Sequence, residues 1–316
     1  MTLIHPPLRP RETRKFTDPD VTADGKTRAS VTLDALRTLW FNTGTLCNLT
    51  CANCYIESSP HNDRLEYLQR DDVTSYLDQI GELGLPTREI GFTGGEPFMN
   101  PAIIDLLNSS LERGYRTLVL TNAMPVMTKH ADALVALRAR FGRQLVLRVS
   151  VDHYRRHLHE EERGHHTWVP TLRALKWLSD NGFAINVAGR LRWGETEAAM
   201  RDGFAALFDA EGIELNAADP VELVLFPEMD ENADVPEITT ECWGILHKRP
   251  QDVMCASSRM VVRHKGAAAP TIASCTLLPY DAQFDLGPRL ADALGSVKLN
   301  HPHCAKFCVL GGGRCA

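Results

Sequence analysis

The stretch Leu39-Trp40-Phe41-Asn42-Thr43-Gly44-Thr45-Leu46-Cys47-Asn48-Leu49-Thr50-Cys51-Ala52-Asn53-Cys54-Tyr55 sets the reading of the whole chain. A short apolar and aromatic run, the pattern of a strand, leads into a loop with three cysteines at C-x3-C-x2-C spacing. Three thiolates so closely spaced fit three corners of one cubane, because a short loop wraps it without a long excursion. A [4Fe–4S] cluster usually takes four cysteines. Three leave one iron open. Structural zinc instead uses pairs of ligands separated by a longer gap, four in all. Zinc and buried structural thiols stay in competition for the triad taken alone.

Working outward, strand-like runs recur at 38–43, 88–93, 116–121, 144–151, 184–191 and 222–226. Helical patterns lie between them, for example at 72–83 and 167–178. Asn100 and Pro101 predict a helix N-cap and first turn, and Gly84, Gly114 and Gly182 mark helix ends. Strands alternating with helices imply parallel pairing through right-handed crossovers, in a doubly wound sheet or an incomplete (β/α) barrel. The alternation stops near residue 230. A hairpin is expected over 259–264 and 271–275, and a domain boundary near 235. Residues 1–35, rich in Pro, Arg, Asp and Thr, read as an extended arm that wraps the domain or moves freely.

Composition narrows the function classes. The 316 residues carry a net charge of −6, which argues against a general nucleic-acid binder. No apolar run reaches the ~20 residues of a membrane helix, and the start lacks the pattern of a secretory signal. A cytoplasmic protein without membrane partners is therefore expected. Nine cysteines in a reducing compartment point to metal binding or catalysis rather than disulfides. There is no G-x-S-x-G elbow, Walker loop or Rossmann fingerprint.

A parallel barrel places its working residues at the carboxyl ends of its strands. The second strand ends in Gly94-Gly95-Glu96-Pro97, whose glycines let backbone approach a ligand and leave carbonyl oxygens to accept from an ammonium group. The third ends at Asn122, for which a capped turn is an equal reading. The fourth ends in Ser150-Val151-Asp152, putting a hydroxyl and a carboxylate on one face, with an N-cap role open to Asp152. The fifth ends at Arg190, with Arg192 as its competitor for a bidentate carboxylate contact. Glu228, after the sixth, is assigned nothing. The histidine-rich segment 153–166 reads as a solvated helix and loop, a lid over the substrate at most.

The triad with an aromatic at Tyr55, followed about 40 residues later by Gly94-Gly95-Glu96, resembles the radical S-adenosylmethionine (SAM) superfamily. That resemblance implies a partial (β/α)6 TIM-like barrel over 36–235. It also implies a [4Fe–4S] cluster on Cys47, Cys51 and Cys54 whose open iron takes the amine and carboxylate of SAM. In the family one electron from the cluster breaks the C5′–S bond and gives a 5′-deoxyadenosyl radical that abstracts hydrogen from a substrate. Tyr55, Gly94, Gly95, Glu96, Asn122, Ser150, Asp152 and Arg190 become the expected cofactor contacts. A reductant such as flavodoxin or ferredoxin is the expected partner.

Cys255 and Cys275 flank the expected hairpin, and Cys304, Cys308 and Cys315 follow. This resembles the SPASM and twitch extensions of the same superfamily, implying a cysteine-rich Fe–S domain over 236–316. Five cysteines suffice for one auxiliary cluster and not for two fully cysteine-ligated ones. A zinc knuckle, helped by His301 or His303, is the competing reading, and Cys242 reads as a small buried hydrophobe. The expected substrate is a peptide or a small molecule. The alternative function is a non-catalytic Fe–S or zinc protein that transfers electrons or serves as a scaffold.

Overall fold

Alternation of side chains along the apolar runs sorts them into two layers, and that sorting builds the molecule. The computed structural model describes residues 14–313. The six expected strands form within one residue at each end: β1 (Thr38–Asn42), β2 (Glu89–Thr93), β3 (Arg116–Thr121), β4 (Leu145–Ser150), β5 (Ala184–Leu191) and β6 (Leu223–Pro227). They pair in parallel, each with its sequence neighbour. An order without reversal has no switch point, which rules out the doubly wound alternative. The strands instead curl around an interior as an incomplete barrel.

Outward-facing residues such as Leu39, Phe41, Ile90, Phe92, Leu147 and Val187 form one core with the helices. These are α1 (Arg70–Glu82), α2 (Ile103–Glu112), α3 (Ala131–Phe141), α4 (Arg156–Arg163), α5 (Trp168–Asp180) and α6 (Glu197–Glu211). Inward-facing Trp40, Leu118, Val146 and Ala184 form a second core with the segment beyond residue 250. Gly91 pairs with Trp40 across β1 and β2, and a Cβ there would collide with the indole. Toward the carboxyl ends the interior turns polar, through Asn42, Thr93, Asn122, Arg148, Ser150 and Asp152.

The expected hairpin is present as β7 (Ser258–Val262) and β8 (Thr271–Ala273), paired antiparallel. It does not stand apart: β7 pairs in parallel with β1, extending the sheet to eight strands. The segment after the boundary expected near 235 thus returns to the strand that leads into the cysteine triad. Among the described residues of the amino-terminal arm, Arg28 is buried against Glu237 at 2.5 Å, and Ser30–Val31 pairs with Val297–Lys298. The arm lies on the carboxyl-terminal segment over this stretch.

One expected cap is corrected. Helix α2 begins at Ile103 and not at Pro101, with Ala102 as its N-cap. Asn100 ends the short turn Pro97–Met99 instead, and its side-chain amide donates to the carbonyls of Thr43 and Leu68. Its Oδ1 accepts from Ala102 N at 2.8 Å, so the sequence signal marked a real turn two residues early. Gly84, Gly114 and Gly182 do adopt positive φ just past helix ends, as expected. Among the described residues no helix is long and apolar enough to cross a membrane.

Candidate active site

The loop after β1 is held from three sides before any ligand is considered. From β2, the N–H groups of Gly95 and Glu96 donate to the carbonyls of Gly44 (2.8 Å) and Leu46 (3.1 Å). This contact explains both glycines. Gly94 has φ +141°, and a Cβ on it would stand 2.5 Å from the Gly44 carbonyl oxygen; a Cβ on Gly95 would overlap the Leu46 carbonyl. The carbonyls of Gly94 and Gly95 accept no hydrogen bond from the described residues, and both glycines border the cavity described below.

From the far side comes α4. The Glu162 carbonyl accepts from Ala52 N at 2.8 Å. Its carboxylate accepts from Asn53 N at 3.0 Å and from the Asn53 side-chain amide at 2.8 Å. Arg192 donates to the same carboxylate at 2.7 Å, and Arg190 stands 3.4 Å from it while donating to the Asn53 carbonyl at 3.0 Å. Glu162 is 1 % exposed, so this is a buried clamp on the loop.

The segment 153–166 is therefore not the solvated helix expected. The inner face of α4 buries His159 and Glu162 and turns the half-buried Arg163 to the same side, at i, i+3 and i+4. Their charge hid that face from any hydrophobic periodicity. Paired charges can be buried where lone ones cannot. His159 stacks edge-on against Trp168 at 5.4 Å, and burial depresses its pKa to about 4.

These supports enclose a cavity at the carboxyl ends of the parallel strands. Cys47, Cys51, Cys54, Tyr55, Gly94, Gly95, Asn122, Ser150, Asp152 and Arg190 all line it. Glu96 does not. It is fully buried behind the wall, accepting from Phe98 N (3.2 Å), Thr121 Oγ1 (2.8 Å) and Asn122 N (2.8 Å). Burial pushes its carboxyl up to about 7 against those three donors.

Two further cations on the wall, Arg148 and Arg163, went unread in the sequence. Arg148 looks like an ordinary residue of an apolar strand, and Arg163 like part of a polar surface. Arg163 pairs with Asp152, and Arg190 stands 3.2 Å from the same carboxylate. Burial alone would raise the Asp152 pKa; Arg163 and Arg190 outweigh it and hold the carboxyl below its usual range. Arg192, the competitor of Arg190, faces Glu162 and is not part of the wall.

The donor set fits a cubane with one open corner. Leu49 N donates to the Cys47 sulfur at 3.4 Å, Ser58 N to the Cys54 sulfur at 3.3 Å, and Asn122 Nδ2 to the Cys47 sulfur at 3.7 Å. As a free thiol Cys47 is pushed up to about 12 by burial, so metal binding there must release a proton. Among the described residues no three His, Cys, Asp or Glu converge closely enough for a single metal ion. Cysteines on three different irons of a cubane need no such convergence.

Cys255 and Cys304 are buried, and Cys275 and Cys308 half-buried, in the second core; Cys315 lies outside the described residues. Burial raises the Cys304 thiol, and Cys275 and Cys255 raise it further. Beside them is Arg259, fully buried on β7. Its guanidinium donates to the carbonyls of Cys255 (2.6 Å), Ser258 (2.8 Å), Ala293 (2.8 Å) and Gly295 (2.9 Å). Among the described residues no carboxylate forms an ion pair with it, and the thiols of Cys255 and Cys275 lie near enough to act on it. A buried cation without a carboxylate suits an anionic thiolate group at that place. Cys242 is half-buried at the edge of this core, its sulfur accepting from Thr239 N at 3.3 Å.

Residues 41–191 match the model of the Radical SAM superfamily. Over 143 residues the chain is 32% identical to the antilisterial bacteriocin subtilosin biosynthesis protein AlbA of Bacillus subtilis (strain 168), covering 45% of this chain and 30% of that protein. Over 91 residues it is 31% identical to the GTP 3',8-cyclase of Chlorobaculum tepidum, covering 28% of this chain and 26% of that protein. The chain thus spans under a third of the length of either relative. The structure of Streptococcus suis SuiB bound to precursor peptide SuiA superposes with a TM-score of 0.59 at 13% identity, over 84% of this chain and 65% of that one.

Proposed function

From a chain that belongs to the radical SAM superfamily, we propose an enzyme in which Cys47, Cys51 and Cys54 hold a [4Fe–4S] cluster with one iron open to S-adenosylmethionine. When bound, that pair supplies reductive cleavage to methionine and a 5′-deoxyadenosyl radical, which abstracts hydrogen from a peptide or small-molecule substrate. The observation that supports this reading most is the gathering of all three thiols, the free Gly94 and Gly95 carbonyls and the Arg163–Asp152–Arg190 group on one cavity wall.

Several of the wall residues have a task in this reading. The Gly94 and Gly95 carbonyls accept from the methionine ammonium group. Arg163 and Arg190 face the methionine carboxylate, with Asp152 keeping both guanidiniums in place. Asp152 is already engaged by those two cations, which leaves the Ser150 hydroxyl as the freer contact for the ribose. Glu96 acts from behind by fixing Thr121 and Asn122. Tyr55 borders the cluster side of the cavity.

Four of Cys255, Cys275, Cys304, Cys308 and Cys315 are proposed to hold one auxiliary Fe–S cluster, with the fifth to spare and Arg259 as the cluster's counter-charge. Between the substrate classes, the similarity to AlbA, a bacteriocin biosynthesis protein, favours a peptide. The test is anaerobic reconstitution with iron and sulfide, followed by electron paramagnetic resonance of the reduced protein with and without S-adenosylmethionine. A triad signal that changes on adding the cofactor is expected. A colourless protein that takes up zinc and no iron would replace the enzyme with the scaffold reading.

A further inference from the structure

We propose that Asn122 tunes the cluster at the triad: its side-chain N–H, directed at the Cys47 sulfur, raises the reduction potential. This rests on the reading of Cys47, Cys51 and Cys54 as cluster ligands and adds a role for a residue that reading treats only as a cofactor contact. Among the described residues Asn122 is the one side chain that donates to a triad sulfur, at 3.7 Å. The other donors, Leu49 N and Ser58 N, are backbone groups of the loop itself.

The direction of the amide is fixed by its surroundings. Asn122 Oδ1 accepts from Met124 N at 3.0 Å, which turns Nδ2 toward the triad. There Nδ2 has two acceptors, Asn48 Oδ1 at 3.0 Å and the Cys47 sulfur. The backbone is pinned as well: its N–H donates to Glu96 at 2.8 Å and its carbonyl accepts from Thr171 Oγ1 at 3.2 Å. Asn122 is 5 % exposed, so water does not compete well for that N–H. Buried Glu96, which stands off the cavity, thereby acquires a purpose: it positions the donor.

The sign follows from charge. One-electron reduction adds a negative charge to the cluster and its thiolates, and a donor to sulfur stabilises the more negative state. Hydrogen bonds to sulfur are among the protein's levers on cluster potential. Removing this donor makes the potential more negative.

The full-length chain is reconstituted anaerobically as wild type, Asn122→Ala and the near-isosteric Asn122→Asp, which keeps an acceptor for Met124 N but has no N–H to give. Each is titrated with dithionite in redox mediators without S-adenosylmethionine, so cofactor affinity does not enter. The triad signal is identified in the paramagnetic resonance spectrum by its loss in Cys47→Ala. At the potential that half-reduces the wild-type cluster, the reduced-to-oxidised ratio should fall about tenfold in Asn122→Ala, equivalent to about 59 mV for one electron. It should fall at least as far in Asn122→Asp. Intact clusters at unchanged potential would overturn the proposal, and so would failure of both variants to assemble the cluster, since a tuning group is not needed for assembly. A wild-type protein with no triad signal would instead sink the reading of the triad, and this inference with it.

Discussion

Glu162 shows how much of this site depends on a single side chain that does not line the cavity. It joins α4, the Asn53 turn and the two arginines at the end of β5, Arg190 within it and Arg192 just past it, around one buried carboxylate. Removing one partner of a buried, hydrogen-bonded charge network leaves the others uncompensated, at about 3–5 kcal/mol. Glu162→Ala is therefore expected to lose stability on that scale in denaturant unfolding of the cluster-free protein, and Glu162→Gln less. Glu96 makes a prediction of opposite kind. Its carboxyl, pushed up to about 7 from an ordinary 4.5, keeps a proton in the folded protein that the unfolded chain has already lost in between. Stability must then fall as pH rises through that window, by up to about 3 kcal/mol, and level off above it. Urea unfolding at about pH 5 and about pH 7.5 should show that slope in the wild type and not in Glu96→Gln. The sequence pointed to Glu96 and Asp152 by their places at strand ends, but not to their partners. Arg163 and Glu162 lie on an almost wholly charged helix, and pairing across space leaves no mark on local sequence.

At the level of elements, the strands were legible because each apolar run alternates between two buried faces, and a shift by one residue would turn Arg148 and Asp152 into the helix layer. The start of α2 was less legible: Asn100-Pro101 signals a turn, and only the Thr43 and Leu68 carbonyls show that Asn100 serves the cluster loop. Gly94 and Gly95 were read as room for a ligand, and they are first of all room for the loop's own backbone. Gly95→Ala would drive the strand end away from Leu46, an overpacking worth about 1–3 kcal/mol. The expected outcome is a folded protein by circular dichroism whose triad retains little iron after reconstitution. Full iron loading in this variant would mean that the contact between β2 and the loop does not shape the site.

Across the whole molecule, the parallel pairing of β7 with β1 ties both groups of cysteines to one sheet. From the sequence, the carboxyl-terminal region looked like an appendage, because cysteine spacing and a hairpin pattern say nothing about which strand the hairpin will join. Arg259 sits at that junction. Arg259→Met keeps the bulk of the stem but removes the cation beside Cys255 and Cys275, and iron analysis should show loss of the auxiliary cluster with the triad signal retained. The central claim is that the cavity at the strand ends supports radical chemistry, and the most direct test follows 5′-deoxyadenosine. The reconstituted, dithionite-reduced chain is incubated anaerobically with S-adenosylmethionine, beside a variant with Cys47, Cys51 and Cys54 all changed to Ala. Product is expected from the wild type and none from the variant; equal product from both, or a wild type that binds no iron at the triad and forms none, would rule out radical chemistry at the strand ends.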